Sequence, residues 1–271
     1  MRAPAPAKIN LALVVGPLRD DGKHELVTVY QRVGMSDRID VTPAAELRVD
    51  GFPGDTLVRG ALEALAERAG VDPRWHARIE KRLPVAAGIG GGSSDAATAL
   101  RLANATLTEP LPHEALHELA AQLGADVPFF LAEGPQLGTG DGTTLAPLDL
   151  PQDFWVLLVL PRYAEKASTA SVYAAFDERD GARGWEERRA ALLAALEGVR
   201  RPRDLAALPP NDLASSSLAE ELLERGAFRA DVSGAGPTVY GLFHHKRDAE
   251  AAKRALKRPD GTWITPPAWY G

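Results

Sequence analysis

LPVAAGIGGGSSDAATALRLAN, residues 83–104, places glycines at 88, 90, 91 and 92 and serines at 93 and 94 directly before an alanine-rich run. Glycine loses more backbone freedom on folding than any other residue, so such a cluster needs a compensating role, either a tight turn or a ligand touching the backbone. Ala77–Leu83 reads as a strand, the glycines follow, and Ser94–Asn104 reads as a helix. That order aims unpaired backbone N–H groups and the positive end of a helix dipole at one point, a ready anion site that needs no lysine. It is not a P-loop, because no Gly-Lys-Ser/Thr follows, and not a Rossmann fingerprint, because no acidic residue closes a second strand about 20 residues on. Without a ligand, the same glycines would be a connector whose helix is capped by Ser94 or Asp95.

Outward from the loop, strands and helices intermix. Lys8–Val15 reads as a strand with Ile9, Leu11, Leu13 and Val15 on one face and Lys8 and Asn10 on the other. The turn signal at 20–23 and a second strand over Glu25–Val33 make a hairpin, with further strands at Arg38–Thr42 and Ala45–Val49. Helical patterns cover Thr56–Ala69, ended by Gly70, and Glu114–Leu123, with a glycine-rich turn at Gly138–Gly142. The apolar run Phe154–Leu160 then reads as a buried strand opening a second domain. Helices at Ser168–Phe176, Trp185–Leu196 and Asp248–Lys257 follow, with a strand, glycine turn and strand over Asp231–Phe243 and a last strand at Trp263–Pro267. The expected architecture is two α+β domains, residues 1–152 and 153–271, with a cleft between them.

With 31 Lys and Arg against 37 Asp and Glu, the net charge of −6 argues against nucleic-acid binding, which needs a basic face. It leaves room for a small anionic ligand held by backbone amides. The chain has no cysteine, so disulfides and thiolate metal sites are excluded. No signal peptide and no apolar run of about 18 residues are visible, so the expectation is a cytoplasmic protein without membrane contact.

Five segments carry a resemblance. Pro84-Val85-Ala86-Ala87-Gly88-Ile89-Gly90-Gly91-Gly92-Ser93-Ser94-Asp95 resembles the phosphate-binding motif of the GHMP kinases. With it stand Pro6-Ala7-Lys8-Ile9-Asn10-Leu11, Asp21-Gly22-Lys23-His24-Glu25-Leu26, Leu123-Gly124-Ala125-Asp126-Val127-Pro128-Phe129-Phe130 and, as the superfamily's third motif, Ser233-Gly234-Ala235-Gly236-Pro237-Thr238-Val239. Any one motif is weak, but together they cover most of the chain. They are most similar to the branch whose acceptor is a cytidyl diphospho methylerythritol, phosphorylated at its 2-hydroxyl by ATP in non-mevalonate isoprenoid biosynthesis.

The resemblance implies the two-domain GHMP fold, ATP with Mg²⁺, small-molecule ligands only, and a monomer or weak homodimer. It implies nucleotide binding by Pro84 to Ser94, catalysis by Lys8 and Asp126, and acceptor binding by Asn10, His24, Thr169 and Tyr173. Ser233, Gly234 and Gly236 are expected near the phosphates, and no protein ligand of the metal is assigned. A carboxylate suits the role of accepting the hydroxyl proton, although Asp126 also fits as the N-cap of a short helix containing Val127 and Pro128. Lysine beside it would keep it ionised. The chain departs from the branch at Lys23, where an aromatic is expected to stack on the cytosine, and at Lys166-Ala167-Ser168 beside Thr169. Tyr173 would then stack on the base alone. Another GHMP small-molecule kinase, of homoserine or mevalonate type, and a non-catalytic ligand-binding protein of the same fold are the alternatives.

Overall fold

The computed structural model describes residues 1–162, 168–257 and 259–268, so Lys166 and Ala167 lie outside the described residues. β1 (Arg2–Leu18) and β2 (His24–Pro43) form a long antiparallel hairpin, closed by a turn in which Gly22 takes φ +78°. The two strands expected at 25–33 and 38–42 are this one strand. A register shift lets it continue: Ala7 pairs with Val33 and Pro6 with Ser36, leaving Gly34 and Met35 as a bulge.

A second shift shapes the site. Asn10 pairs with Tyr30 and Ala12 with Val29, so Leu11 is an extra residue and the side-chain alternation changes phase. Ile9, Leu11, Ala12 and Val14 enter one core. Leu13 and Val15 turn instead to the side of Lys8 and Asn10, packing with Leu26, Phe176 and Leu213. The single apolar face expected for this strand is therefore split, and its second half lines a cleft.

The first sheet runs β3 (Arg48–Asp50), β4 (Trp75–Glu80), β2, β5 (Gln136–Thr139), β6 (Thr144–Pro147), with β1 also on β2. Helices α1 (Leu57–Ala69), α2 (Gly91–Asn104) and α3 (His113–Leu123) pack their apolar residues against it. β4 stops at Glu80 rather than Leu83 because Asp37 takes over the chain there. Its Oδ1 accepts the N–H groups of Arg82 and Leu83, replacing ladder bonds with side-chain ones.

The second sheet, β10 (Gly261–Thr265), β7 (Trp155–Leu160), β9 (Val239–Phe243) and β8 (Arg229–Val232), is wholly antiparallel. Val156, Leu158, Tyr240 and Leu242 share a core with Ile9 and Leu11 of β1, which joins the two sheets. The opposite face carries α6 (Ser217–Glu224) and α7 (Lys246–Ala255), of which α6 was not read from the sequence. Helices α4 (Thr169–Glu178) and α5 (Trp185–Gly198) follow β7 and pack against β1.

Candidate active site

The glycine loop leads into α2 by backbone geometry alone. Gly88 and Gly90 take φ of +77° and +71°, and Ala86 is a non-glycine at +54°, a conformation that persists only where surrounding structure imposes it. Gly90 is the cap, with no side-chain bond, so the helix starts at Gly91, three residues before the expected Ser94. Neither Ser94 nor Asp95 caps it. The side chains of Ala87 and Ile89 lie in the core, and the Ser94 hydroxyl is buried without a hydrogen-bond partner among the described residues. These positions shape the loop and do not line the clefts with their side chains, except that Ala87 borders one of them.

Two clefts meet at the loop. One, of about 440 Å³, lies between Pro84–Ser93 and Phe52, Leu57 and Lys81. The other, of about 360 Å³, is walled by Lys8, Asn10, Tyr30, Asp126, Tyr173 and the turn Gly234–Gly236. They share Ala86, Gly88, Gly90, Ser93 and Thr169. Ligands in the two clefts would face each other across the start of α2.

Lys8 and Asp126 come together as expected, with Nζ 3.2 Å from Oδ2. The lysine side chain is 4% exposed and the aspartate 33%, so a buried cation holds a carboxylate that faces the cleft. Lys8 Nζ also donates to Asn10 Oδ1 at 2.7 Å, Asn10 Nδ2 donates to Thr28 Oγ1 at 2.7 Å, and that hydroxyl donates to the Ala12 carbonyl. The chain of bonds commits the Asn10 amide to Lys8 and Thr28. The cap of the 3-10 turn Pro128–Leu131 is Val127, not Asp126, which leaves the carboxylate to Lys8. Tyr30 escaped the sequence reading, though it sits opposite Asn10 in the register. Its ring lies 5.5 Å from Lys8 Nζ, and burial followed by the charge of Asp126 pushes its hydroxyl well above the usual tyrosine value.

The third glycine motif locks onto the loop. Ser233 Oγ donates to the Gly88 carbonyl at 3.0 Å and Thr238 N–H to that of Ala87 at 3.2 Å. Ser233 is wholly buried in this bond, whereas Gly234 and Gly236 line the cleft. A further residue, Asn211, anchors the turn from behind through Nδ2 bonds to the carbonyls of Val232 and Gly234 at 3.0 and 2.7 Å.

Thr169 is the first residue of α4, capped by Ser168, and borders both clefts. His24 stands apart from Lys8, in an adjoining recess with Lys23, Tyr173 and Asp177. Its Nδ1–H donates to the Gly16 carbonyl at 2.9 Å, and Nε2 lies 3.4 Å from the Asp177 carboxylate. Tyr173 stacks on its ring at 5.0 Å. Lys23 reaches Asp141, which hydrogen bonds from Lys23 and Thr143 hold at about 2 against the upward push of burial. The ammonium at the departing position is thus tied to a carboxylate of the cleft wall.

Behind the loop, Lys81 Nζ donates to Asp37 at 2.6 Å and to Asp95 at 2.7 Å. Burial and the charge of Asp37 push Asp95 up to about 7, against the pull of Lys81. An unfolded Asp95 titrates near 3.8, so the fold favours the protonated carboxyl. That contribution is complete below about pH 4 and is lost as pH rises through about 7. Asp95→Asn, which keeps the shape without the charge, is therefore expected to gain in melting temperature relative to the parent between about pH 5 and about pH 8. A thermal-denaturation series over that range checks this, and a constant difference would mean that Asp95 is ionised throughout.

The family described as the GHMP kinases N terminal domain matches residues 56–134, and the GHMP kinases C terminal family matches residues 205–260. The 4-diphosphocytidyl-2-C-methyl-D-erythritol kinase of Kineococcus radiotolerans is 40% identical over 93% of this chain and 83% of its own length. A crystal structure of 4-(cytidine 5'-diphospho)-2C-methyl-D-erythritol kinase superposes with a TM-score of 0.76 at 32% identity, covering 98% of this chain and 99% of that one. The Methanococcus jannaschii mevalonate kinase, at TM-score 0.75 and 11% identity over 100% of this chain and 98% of its own, shares the fold. The clefts that meet at a glycine-led helix, with a lysine–aspartate pair in one wall, are thus set in a fold and a sequence that agree: the chain belongs to the 4-diphosphocytidyl-2-C-methyl-D-erythritol kinase family of the GHMP kinases, ATP-dependent small-molecule kinases.

Proposed function

We propose that the protein transfers the γ-phosphoryl group of ATP to the 2-hydroxyl of 4-diphosphocytidyl-2-C-methyl-D-erythritol, in non-mevalonate isoprenoid biosynthesis. The observation that carries the site assignment is the buried Lys8 beside the cleft-facing carboxylate of Asp126, next to the loop that both clefts share. ATP lies along Pro84–Ser93, its phosphates against the backbone N–H groups at the start of α2, where the helix dipole favours negative charge. The acceptor occupies the second cleft with its hydroxyl at Asp126.

Phosphoryl transfer asks mainly for positioning and charge neutralisation. The acceptor oxygen forms its bond to the γ-phosphorus as the bond to the β-bridging oxygen breaks, ADP leaves, and the hydroxyl proton passes to Asp126 Oδ2. Lys8, 3.2 Å from that carboxylate, holds it in place and offsets charge on the phosphoryl oxygens. The turn Ser233–Gly236 closes the site over the phosphates, with Thr169 at the junction. His24, whose Nδ1–H is committed to Gly16, meets the cytosine through its Nε2 edge, beside the Tyr173 ring. Lys23, tied to Asp141, is near enough to the same recess to meet the diphosphate.

Mg²⁺ belongs to this reading as the companion of ATP and would offset negative charge on the phosphates. Among the described residues no group of three or more His, Asp or Glu converges on a metal position. The ion would be held chiefly by phosphate and water, and no step above runs through it. A division at residues 152 and 153, between the last strand of the first sheet and the first of the second, is part of the same proposal, as are a cytoplasmic location and a monomer or weak homodimer. No helix of the described residues is long and apolar enough to cross a membrane.

Purified protein given ATP and, separately, the cytidyl substrate, homoserine and mevalonate tests the assignment. ATP consumption with the cytidyl compound, and a product heavier by one phosphoryl group, are expected. Turnover of homoserine or mevalonate instead would move the chain to another specificity, and cytidyl binding without ATP consumption would make it a binding protein.

A further inference from the structure

Arg32 is the largest fully buried side chain among the described residues, at 0% exposure. It stands on β2 directly opposite Lys8 of β1 in the register, and a guanidinium so enclosed, with Arg101 as a neighbouring cation and Glu133 as a nearby anion, is costly to bury. Its partners are main-chain carbonyls. Nη2 donates to the carbonyls of Phe129, at 2.6 Å, and Ala132, and Nη1 reaches that of Gly134 at 3.4 Å. Burial draws the guanidinium down to about 10, so it is charged at neutral pH. An apolar side chain of similar volume could fill such a site at less cost, which leaves packing an insufficient reason for an arginine here.

All three carbonyls belong to the segment that follows Asp126. From Asp126 the chain turns through Pro128–Leu131 to Gly134, crossing from Lys8 to Arg32. Lys8 holds its near end through the Asp126 carboxylate, and Arg32 holds its far end through the backbone. Phe129 links the two: the guanidinium lies 4.6 Å over its ring, and Tyr30, whose hydroxyl is perturbed by Asp126, stacks on the same ring at 4.8 Å. We infer that Arg32 is a positioning residue for Asp126, fixing through the carbonyls of residues 129–134 where the carboxylate stands relative to Lys8 and to the acceptor hydroxyl. The inference rests on Asp126 being the proton acceptor proposed above.

Arg32→Lys keeps the charge and loses the planar fork. It is expected to lower kcat by about tenfold to a hundredfold, the scale of a misplacement of about 1 Å, while the KM values for ATP and acceptor stay within about threefold. The deciding measurement is a double-mutant cycle on kcat. In an Asp126→Asn background Arg32→Lys should cost less than about twofold, because a carboxylate already removed has no position to lose. Equal losses in the two backgrounds, or a loss that appears in KM alone, would overturn the role of Arg32 and leave the base assignment standing. Near-normal kcat in Asp126→Asn by itself would overturn both. Should Arg32→Lys fail to fold, Phe129→Leu, which interrupts the same path, goes through the same cycle with the same expectations.

Discussion

Asp126→Asn is expected to yield a folded protein whose kcat is lower by about 10²–10⁴, the usual worth of a positioned general base. Asparagine has the shape of aspartate, and its oxygen can still accept a hydrogen bond from Lys8. No helix cap is lost with the carboxylate, because Val127 holds the N-cap position of the following 3-10 turn. What disappears is the group that takes the hydroxyl proton. Since that loss is felt in the transition state, the acceptor KM should change far less than kcat. Lys8→Met should also lower kcat, and the double variant should lose less than the sum of the two free energies if the pair acts as a unit. Steady-state kinetics on the three variants, with melting temperatures to confirm folding, decide the matter. Retention of more than about a tenth of the parental kcat in Asp126→Asn would leave positioning and charge neutralisation to carry the reaction without a base.

Lys8, Asp126 and the glycine loop were legible because each is a local pattern with few chemical alternatives. What could not be read depends on partners distant in sequence. An extra residue such as Leu11 leaves no mark in an alternating apolar run, so Leu13 was assigned to the wrong side of β1 and its place in the cleft wall was missed. Tyr30 and Arg32 looked like ordinary strand residues until the register set them opposite Asn10 and Lys8. Asp95 fits a helix cap by position, yet Lys81 and Asp37 draw it into a buried charge cluster, and Gly90 caps the helix with backbone alone. The recess near His24 adds contacts that the sequence does not display. There Tyr173 stacks on the His24 ring, and Lys23 is bound to Asp141.

Gly88→Ala is expected to raise the ATP KM and lower kcat together, with a combined loss in kcat/KM of at least about a hundredfold, the scale of a misplaced reacting geometry. From sequence alone, Gly91 is an equally good target in the loop; the structure separates the two. Gly88 has φ +77°, and a Cβ added there would lie 2.6 Å from the carbonyl oxygens of both Ser233 and Gly236. Those are backbone atoms and cannot swing aside, so the two glycine turns must part. Parting them breaks the bonds from Ser233 Oγ to Gly88 and from Thr238 N–H to Ala87. It also moves Gly234, which abuts Asn10 and Lys8: a Cβ there would meet Asn10 Oδ1 at 3.3 Å, the Gly88 carbonyl oxygen at 3.5 Å and Lys8 Nζ at 3.6 Å. One methyl group thus disturbs the nucleotide loop, the phosphate-facing turn and the catalytic lysine at once, and the left-handed backbone adds strain of about 1–3 kcal/mol. At Gly91 the nearest atoms are Lys81 Nζ at 3.3 Å and Leu83 Cδ1 at 3.5 Å, both ends of flexible side chains, and the backbone is helical. Gly91→Ala should therefore fold like the parent and change the ATP KM by less than Gly88→Ala does. Measured side by side for ATP KM, kcat and melting temperature, the pair separates a loop that must interlock with the second glycine turn from one that only needs small residues. A Gly88→Ala protein with an ATP KM within about twofold of the parent, a shift of less than about 0.5 kcal/mol, would show that the interlock does not hold the nucleotide site.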